Sequence, residues 1–299
     1  MRPGDRVAVV APSGPVLQER VWAGADLLRS WGLQPVVMPH VRDVHPEFGY
    51  LAGTDEDRAG DLTAAWCDPS VAAVFCARGG YGAQRTAELL DWDAIRAAGP
   101  KVFVGFSDVT ALHEAFAVRA GFATLHGPMT GTVAFLKDGP TQESLRATLF
   151  APESVRVLAP PAARPLVPGR AHGVTLGGCL ALLAAEAGVR GARGSAAGGL
   201  LFLEDTGEEP YRLDRMLTQL LRSGWLAGVA GVALGTWEGC GAHPAVRATL
   251  LDRLGGLGVP LVEHFGFGHG PTSLTVPLGV PATLDAGAGT LTLDGPALL

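Results

Sequence analysis

The feature that most constrains the fold is the regular alternation of short apolar runs with helical patterns in the first part of the chain. Runs such as Val71–Ala77 are almost continuously hydrophobic and too short to be helices. Strands of this kind are buried on both faces and form parallel sheets covered by helices. The sequence therefore predicts an α/β fold that begins with a three-layer, parallel-sheet domain. Its predicted strands are 7–11, 34–38, 71–77 and 101–106, and its predicted helices are 18–31, 55–66, 83–90, 92–98 and 108–119.

The pattern of apolar and polar residues changes after about residue 130. From Gly131 to Arg170 the periodicity weakens, and the proline-rich stretch 159–168 cannot sustain a helix or a central strand. We interpret residues 151–170 as a linker between an N-terminal domain, residues 1–150, and a C-terminal domain, residues 171–299. In the latter, Pro210 opens an amphipathic helix. Short strands are predicted at 200–203, 229–234, 274–276, 282–284 and 290–293.

Composition and charge exclude several classes of protein. The chain of 299 residues is 47% hydrophobic and can bury a sizeable core. Its net charge of −6 and lack of a Lys/Arg run argue against nucleic-acid binding. Gly, Pro or charged residues interrupt every apolar run, so we expect no signal peptide and no membrane span.

The four scattered cysteines are typical of reduced thiols in a cytosolic protein. Cys240 and His243 lack a second ligand pair, so we expect no metal site.

Ser107 is the sharpest candidate nucleophile. It lies in Gly105-Phe-Ser-Asp108, where a predicted strand ends and a predicted helix begins. Open α/β sheets place functional groups at this edge, and the first-turn amides of a helix can stabilise an oxyanion. The alternative interpretation is that Ser107 is simply the N-cap of the helix. The stretch also lacks the second glycine of Gly-x-Ser-x-Gly, so it is not the usual α/β-hydrolase turn.

A glycine-rich loop, residues 77–85, follows the third predicted strand and lies at the same edge. Such a loop brings backbone amides close to a phosphate or a carbonyl oxygen. It lacks both the dinucleotide fingerprint and the Lys-Ser/Thr of a P-loop. Contact with an oxyanion or substrate, a plain tight turn and a nucleotide site are the three interpretations left open.

A serine nucleophile needs an imidazole to accept its proton and a carboxylate to orient that imidazole. Among eight histidines, His269 lies in a glycine-dense loop, and His126 is its main rival. His113 falls within a predicted helix, where we interpret it as a structural histidine. Glu204 and Asp205 end a predicted strand. Spacing alone selects no pair, because triad members need not be close in sequence.

Together these stretches resemble the LD-carboxypeptidase family of serine peptidases, whose type is muramoyltetrapeptide carboxypeptidase. The resemblance covers nearly the whole chain, with motifs in family order. It rests on Gly-Phe-Ser-Asp at 105–108, Leu-Glu-Asp-x-x-Glu-x-x-Tyr-x-x-Asp-Arg at 203–215, and Gly-His followed by Pro-x-Gly within 268–279. Cys179 departs from the family pattern, in which asparagine follows the paired glycines.

The resemblance implies that Ser107 is the nucleophile, His269 the base and Glu204 the orienting carboxylate. It also implies a first domain like that of class I glutamine amidotransferases, a smaller β-rich second domain, an active site between the domains, and a homodimer. We expect backbone amides of Gly80 and Asp108 to hold the oxyanion, with no metal and no cofactor. Three cations are available for the terminal carboxylate of the substrate: Arg78, Arg212 and Arg215.

The implied reaction is cleavage of the L,D-peptide bond that releases terminal D-alanine from murein tetrapeptide, in the cytoplasm, during peptidoglycan recycling. The alternative is an immunity peptidase of the microcin C type, which hydrolyses aminoacyl-nucleotide toxins. Aromatic contacts to an adenine would favour that alternative, and no aromatic-rich loop is evident in a chain with 7% aromatic residues. A non-catalytic module that binds a small ligand is a third hypothesis. The joint presence of Ser107, Glu204 and His269 in matching motifs argues against it.

Overall fold

The computed structural model describes residues 1–298 and contains two compact units, Met1–Ala151 and Pro152–Ala297. Each unit has its own sheet and its own hydrophobic core. Among the described residues, no helix combines the length and the apolar character needed to cross a bilayer.

The first unit is built on a parallel sheet with the strand order β2-β1-β3-β4-β5. This confirms the predicted α/β fold. The order places the switch point between β1 and β3, and open α/β sheets bind ligands at the carboxyl ends of strands near that point. The strands are β1 (Arg6–Val10), β2 (Gln34–Val37), β3 (Val71–Cys76), β4 (Val102–Gly105) and β5 (Thr124–His126), and the helices are α1 (Gln18–Ser30), α2 (Asp55–Cys67), α3 (Ala83–Leu89), α4 (Trp92–Ala98), α5 (Thr110–Ala115), α6 (Val133–Lys137) and α7 (Gly139–Phe150).

The core of the first unit forms because the strand side chains are apolar on both faces. Val7, Val9, Phe75 and Val104 are fully buried against helix residues such as Leu28. Local signals fix the helix ends: α2 begins at a capping box in which Thr54 and Asp57 satisfy each other's backbone amides. The predicted helix 108–119 is in fact three pieces, since a 3₁₀ turn precedes α5 and a π-helical turn follows it.

Helices α6 and α7 lie where the sequence pattern is weak. The buried face of α7 consists of Thr141, Leu145, Thr148 and Leu149, so two of its four members are threonines. Thr148 donates its hydroxyl to the Ser144 carbonyl at 2.8 Å, which allows it to be buried within the helix. The buried positions of α7 follow helical spacing, but the apolar periodicity of the sequence is weak because half of these positions are threonines.

The second unit is built on a mixed sheet with the strand order β6-β14-β13-β8-β9-β10-β11-β7. Strands β8 to β11 are parallel, and the flanking strands pair antiparallel. The strands of this unit are β6 (Val157–Leu158), β7 (Arg164–Val167), β8 (Arg170–Cys179), β9 (Gly199–Thr206), β10 (Gly231–Glu238), β11 (Leu261–Glu263), β12 (Val276–Leu278), β13 (Pro281–Asp285) and β14 (Thr290–Leu293), and its helices are α8 (Leu180–Glu186), α9 (Pro210–Arg222) and α10 (His243–Leu254).

The segment 151–170, predicted as a linker, contributes β6 and β7 to the two edges of this sheet. Prolines are tolerated there because an edge strand need not donate every amide to a neighbour. Pro165 lies within β7 itself. The proline-rich sequence therefore excludes a central strand, as expected, but not an edge strand.

The second sheet has a separate apolar cluster on each face. Helices α8, α9 and α10 cover one face, where Leu213, Leu217 and Leu220 of α9 are fully buried. This confirms the amphipathic helix predicted to begin at Pro210. On the other face, Phe202, Phe265 and Phe267 form edge-to-face pairs.

Candidate active site

Ser107 occupies a strained turn immediately after β4. Its φ is 64°, in the left-handed region that residues other than glycine rarely adopt. The N-cap position is occupied by Phe106, and Ser107 itself is the first residue of the 3₁₀ turn, so the N-cap alternative is wrong. Gly105 is required two residues earlier, because a Cβ there would lie 2.6 Å from Cγ1 of Val109. The turn thus has the geometry of a nucleophile elbow without the usual motif.

The glycine loop contacts this turn directly. A Cβ added to Gly79 would lie 3.1 Å from the Ser107 hydroxyl and 3.4 Å from the Asp108 amide nitrogen. Gly79 also accepts a hydrogen bond from the Gly14 amide at 3.0 Å, so the loops after β1, β3 and β4 meet. A side chain at position 79 would therefore crowd the Ser107 hydroxyl and displace it.

Asp108 fixes the far end of the same loop. Its buried carboxylate accepts a hydrogen bond from the Ala83 amide at 2.8 Å, at the start of α3. Burial raises the pKa of Asp108, while the hydrogen bond from Ala83 acts in the opposite direction. The Gly-Phe-Ser-Asp motif therefore joins a strained serine to an acid that anchors the loop beside it.

Glu204 lies in the interior of the second sheet, on β9. It is fully buried and pairs in register with Cys179 of β8. A carboxylate in such a place requires strong hydrogen-bonding partners. The neighbouring Asp205 is also buried and accepts amide hydrogen bonds from Ala181, in the first turn of α8, and from Thr206.

His269 is the partner of Glu204. Its Nδ1 donates to Oε2 of the carboxylate at 2.6 Å, which makes Nε2 the proton-accepting nitrogen of the neutral ring. Gly268 has a φ of 109°, and a Cβ there would lie 2.6 Å from the same Glu204 oxygen. The Gly270 amide donates to the Thr236 hydroxyl at 3.1 Å. The glycines of this loop thus allow the close approach that brings His269 onto Glu204.

The surroundings of His269 favour a charged imidazolium. Burial acts to lower the pKa of His269, but the Glu204 hydrogen bond and charge, with Asp205 and Glu238 more distant, raise it overall. An imidazole oriented and made more basic by a buried carboxylate is the arrangement that a general base requires.

The other two histidines considered from the sequence have different settings. His113 of α5 bonds Thr124 through Nδ1 at 2.9 Å and the Gly105 carbonyl through Nε2 at 2.8 Å. Burial lowers its pKa to about 4, so the interpretation of a structural histidine is confirmed. His126, at the end of β5, is buried with its ring near those of Phe106 and His113.

Comparison with known proteins identifies the family. Residues 7–127 match the LD-carboxypeptidase N-terminal domain and residues 172–284 match the LD-carboxypeptidase C-terminal domain. The chain belongs to the LD-carboxypeptidase family. The murein tetrapeptide carboxypeptidase of Pseudomonas aeruginosa is 34% identical over 94% of this chain and 93% of its own length. A Streptomyces coelicolor protein, named only provisionally as a carboxypeptidase, is 69% identical over 100% of this chain and 96% of its own length.

Solved structures of the LD-carboxypeptidase family share the fold. Muramoyltetrapeptide carboxypeptidase from Oxalobacter formigenes matches with a TM-score of 0.81 and 28% identity, over 97% of this chain and 99% of that one. MccF in complex with glutamyl sulfamoyl guanosine matches with a TM-score of 0.88 over 100% of this chain and 98% of that one. At 21% identity, the second likeness concerns the fold alone. The family thus contains murein tetrapeptide carboxypeptidases and MccF-like relatives, and membership supports peptidase activity.

Cys179, the departure from the LD-carboxypeptidase pattern, lies beside the buried acids. Its thiol contacts Oδ1 of Asp205 at 3.5 Å. Burial, with the nearby charges of Asp205 and Glu204, raises its pKa well above the ordinary value. The thiol therefore stays protonated and serves as a weak donor to Asp205.

A row of aromatic side chains near the glycine loop was not evident from the sequence. The rings of His45, Phe48, Tyr50 and Tyr81 follow one another at centroid distances of 4.8, 5.8 and 5.7 Å. Phe48, Tyr50 and Tyr81 are 38%, 54% and 47% exposed. We call these four residues the aromatic row. No aromatic-rich loop was evident from the sequence, but His45, Phe48 and Tyr50 lie within one short segment, and Tyr81 of the glycine loop extends their row.

Proposed function

We propose that this protein is a serine LD-carboxypeptidase that removes terminal D-alanine from murein tetrapeptide during peptidoglycan recycling. Ser107 is the nucleophile, His269 the general base and Glu204 the carboxylate that orients it. The observation that carries the proposal is the 2.6 Å hydrogen bond from His269 to a fully buried Glu204. We further propose, from the family relationship, that the protein acts as a homodimer in the cytoplasm.

The mechanism is acyl transfer in two steps. Nε2 of His269 takes the proton from the Ser107 hydroxyl as its oxygen attacks the carbonyl carbon of the L,D bond. The C–N bond then breaks, and His269 passes the proton to the amino group of the departing D-alanine. Water, deprotonated by His269, hydrolyses the acyl-enzyme and regenerates Ser107. Glu204 remains ionised and stabilises the imidazolium in both steps.

The tetrahedral oxyanion needs donors in place before the reaction. We propose the backbone amides of Gly80 and Asp108. The proximity of Gly79 to both the Ser107 hydroxyl and the Asp108 nitrogen supports this assignment. Asp108 also lies in the first turn of a helix, where amides lack intrahelical partners. Each such donor contributes roughly 3–4 kcal/mol of transition-state stabilisation.

Of the three arginines considered for the substrate carboxylate, we propose Arg78. It precedes Gly79 in the glycine loop, and its Nη1 donates to the Pro15 carbonyl at 2.6 Å, which fixes the exposed side chain while other guanidinium donors stay available. Arg212 is already paired with Glu208, and Arg215 lies over the Tyr211 ring. Replacing Arg78 with Met should raise KM more than it lowers kcat, because a ground-state contact is lost. An unchanged KM would exclude this role.

The decisive experiment is mass spectrometry of L-Ala-γ-D-Glu-meso-diaminopimelate-D-Ala incubated with the wild type and with Ser107→Ala. We expect the wild type to release one D-alanine and the variant to be slower by at least about 10⁴-fold. Ser154→Ala, at a serine in a short 3₁₀ turn of the second unit, is the matched control and should keep full activity. Release of D-alanine by Ser107→Ala at the wild-type rate would refute the nucleophile assignment.

One observation favours a second candidate, hydrolysis of an aminoacyl-nucleotide. The aromatic row presents exposed ring faces beside the glycine loop, and such faces stack on nucleobases. The matching experiment uses aspartyl and glutamyl sulfamoyl adenosine as substrates. Cleavage of these, with the tetrapeptide left intact, would replace the murein proposal while keeping Ser107, Glu204 and His269 in the same roles.

A further inference from the structure

Three metal-ligating side chains meet in the second unit at a place that the proposed mechanism does not use. They are His243, the first residue of α10, Glu263, the last residue of β11, and His264, which follows it. One ligand atom from each lies within 4.8 Å of the other two. We propose that His243, Glu263 and His264 form a binding site for a divalent transition metal, with Zn²⁺ as the best match.

The donor set decides the class of metal. Two imidazoles and one carboxylate are borderline ligands, which suit zinc and related ions better than magnesium or calcium. Zinc binds such groups at roughly 2.0–2.2 Å, so bound ligand atoms are at most about 4 Å apart. Both histidines are exposed, and small rotations of their side chains close the remaining gap. A water molecule would complete the tetrahedral shell.

The backbone at His264 gives an independent reason to expect a role. Its φ is 58°, and among the described residues other than glycine only Ser107 shares a positive φ. A left-handed residue of this kind is strained and persists where the surrounding structure imposes it. Here the strained conformation holds the His264 ring against His243, with centroids 5.2 Å apart and planes inclined by 13°.

The carboxylate of Glu263 is also held in place. Nε of Arg247 donates to its two oxygens at 3.1 and 3.0 Å. A carboxylate oxygen has a further lone pair, so this contact orients the ligand without occupying it fully. The guanidinium charge opposes a cation, and we therefore expect micromolar affinity rather than that of a closed structural zinc site.

A second cluster, His40, Asp43 and Asp57, has similar spacing but different chemistry. Nδ1 of His40 lies 2.9 Å from Asp61, and Nε2 lies 3.5 Å from Asp57. With a carboxylate at each nitrogen, the imidazolium form is favoured, and an imidazolium cannot bind a metal. The His243 cluster lacks this competition, because its single carboxylate is already paired with Arg247.

A metal here would join the start of α10 to the end of β11. These segments are about 20 residues apart in sequence, so the unfolded chain would have to close that loop to bring the ligands together. Because the site exists only in the folded protein, binding should raise the melting temperature.

The test is calorimetric titration of EDTA-treated, dialysed protein with ZnCl₂, and with MgCl₂ as a control ion, together with thermal unfolding. The wild type should bind one zinc with micromolar Kd and melt several degrees higher in saturating zinc. His243→Gln and His264→Gly should lose both effects. Glycine adopts the left-handed conformation without strain, so His264→Gly should keep the stability of the metal-free wild type.

Two variants serve as controls. His172→Gln removes an exposed histidine of the same unit, and His40→Gln removes the rival cluster. Both should bind zinc as the wild type does. The proposal is overturned if the wild type binds no zinc up to about 1 mM, if His243→Gln and His264→Gly retain the wild-type Kd, or if the control variants lose binding equally.

Discussion

At the scale of single residues, Ser107 and Glu204 are both in unfavourable environments. Ser107 has a left-handed backbone, which costs of order 1–3 kcal/mol, and Glu204 is a carboxylate with no exposed surface. Residues held in this way are concentrated at functional sites. The sequence predicts both as candidates, but it could not disclose the sign of φ or the depth of burial, since these depend on how the units pack internally.

The strain at Ser107 can be measured directly. Ser107→Gly and Ser107→Ala should both be inactive, but Ser107→Gly should be the more stable variant by about 1 kcal/mol, because glycine adopts a φ of 64° without a Cβ clash. Urea unfolding followed by circular dichroism would give the difference. Equal stability of the two variants would mean that the turn stores no strain.

The pairing of His269 with Glu204 predicts a change in pH dependence. In the wild type, kcat/KM should fall as the pH drops through the raised pKa of His269, since only the neutral imidazole accepts a proton. Glu204→Gln removes the charge that raises the pKa of His269, so the fall in kcat/KM at acid pH should move to lower pH. The maximal kcat/KM should also drop by about 10³–10⁴-fold. Asp205→Asn, the control, should shift the acid fall less. An unmoved acid fall in Glu204→Gln would show that another group titrates.

At the scale of elements, the strength of the apolar pattern decides what the sequence predicts. Strands β1, β3 and β4 and helix α9 were predicted because each buries several apolar side chains. Strand β2 was predicted from its apolar run although it is only partly buried, and the three-residue strand β5 was not predicted. Helix α7 was missed because threonines occupy half of its buried face, and β6 and β7 were missed because the segment 151–170 was interpreted as a linker. Whether a strand lies at the edge of a sheet depends on its tertiary neighbours, which no local pattern contains. The hydroxyls of Thr141 and Thr148 are bonded locally, to Asp138 and Ser144, but the burial of these threonines also depends on tertiary packing.

The glycine loop after β3 allows a test at this scale. Gly79→Ala would place a methyl group 3.0 Å from Cβ of Ser107, so the hydroxyl must move and kcat should fall by about 10–100-fold. The backbone φ of Gly79 is not positive, so stability should change little. Gly60→Ala, within α2 and with no atom within 4 Å of the added methyl, should stabilise the protein by roughly 0.5–1 kcal/mol at full activity. Full activity in Gly79→Ala would show that the glycine loop does not contribute to the active site.

At the scale of the whole molecule, the proposed triad draws on residues that the sequence separates widely. His269 and Glu204 are 65 residues apart in sequence, and their hydrogen bond is made because the loop after β11 returns to the centre of the sheet beside β9. The residues alone left His126 and Asp205 as alternatives, since sequence spacing carries no information about such a contact. The choice among them came from the family resemblance, and the hydrogen bond between His269 and Glu204 is what supports the proposed assignment.

The two units should respond to acid in opposite ways. Burial lowers the pKa of His113 to about 4, so its contribution to the stability of the first unit is complete above pH ~6.5 and is lost as the pH falls towards 4. Burial raises the pKa of Asp205 to about 6, so the folded second unit binds a proton more tightly than the unfolded chain, and this contribution is lost as the pH rises from ~4 through 6.

Two substitutions separate these effects. His113→Gln keeps a hydrogen-bond donor and an acceptor at this position. When the pH is lowered from about 7 to about 4.5, the free energy of unfolding should decrease by roughly 2–3 kcal/mol less in this variant than in the wild type. Asp205→Asn should lose more stability than the wild type over the same interval, because it cannot take up the proton that stabilises the folded state. Denaturant unfolding at both pH values measures each difference. If both variants follow the wild-type pH dependence, other groups control the acid response.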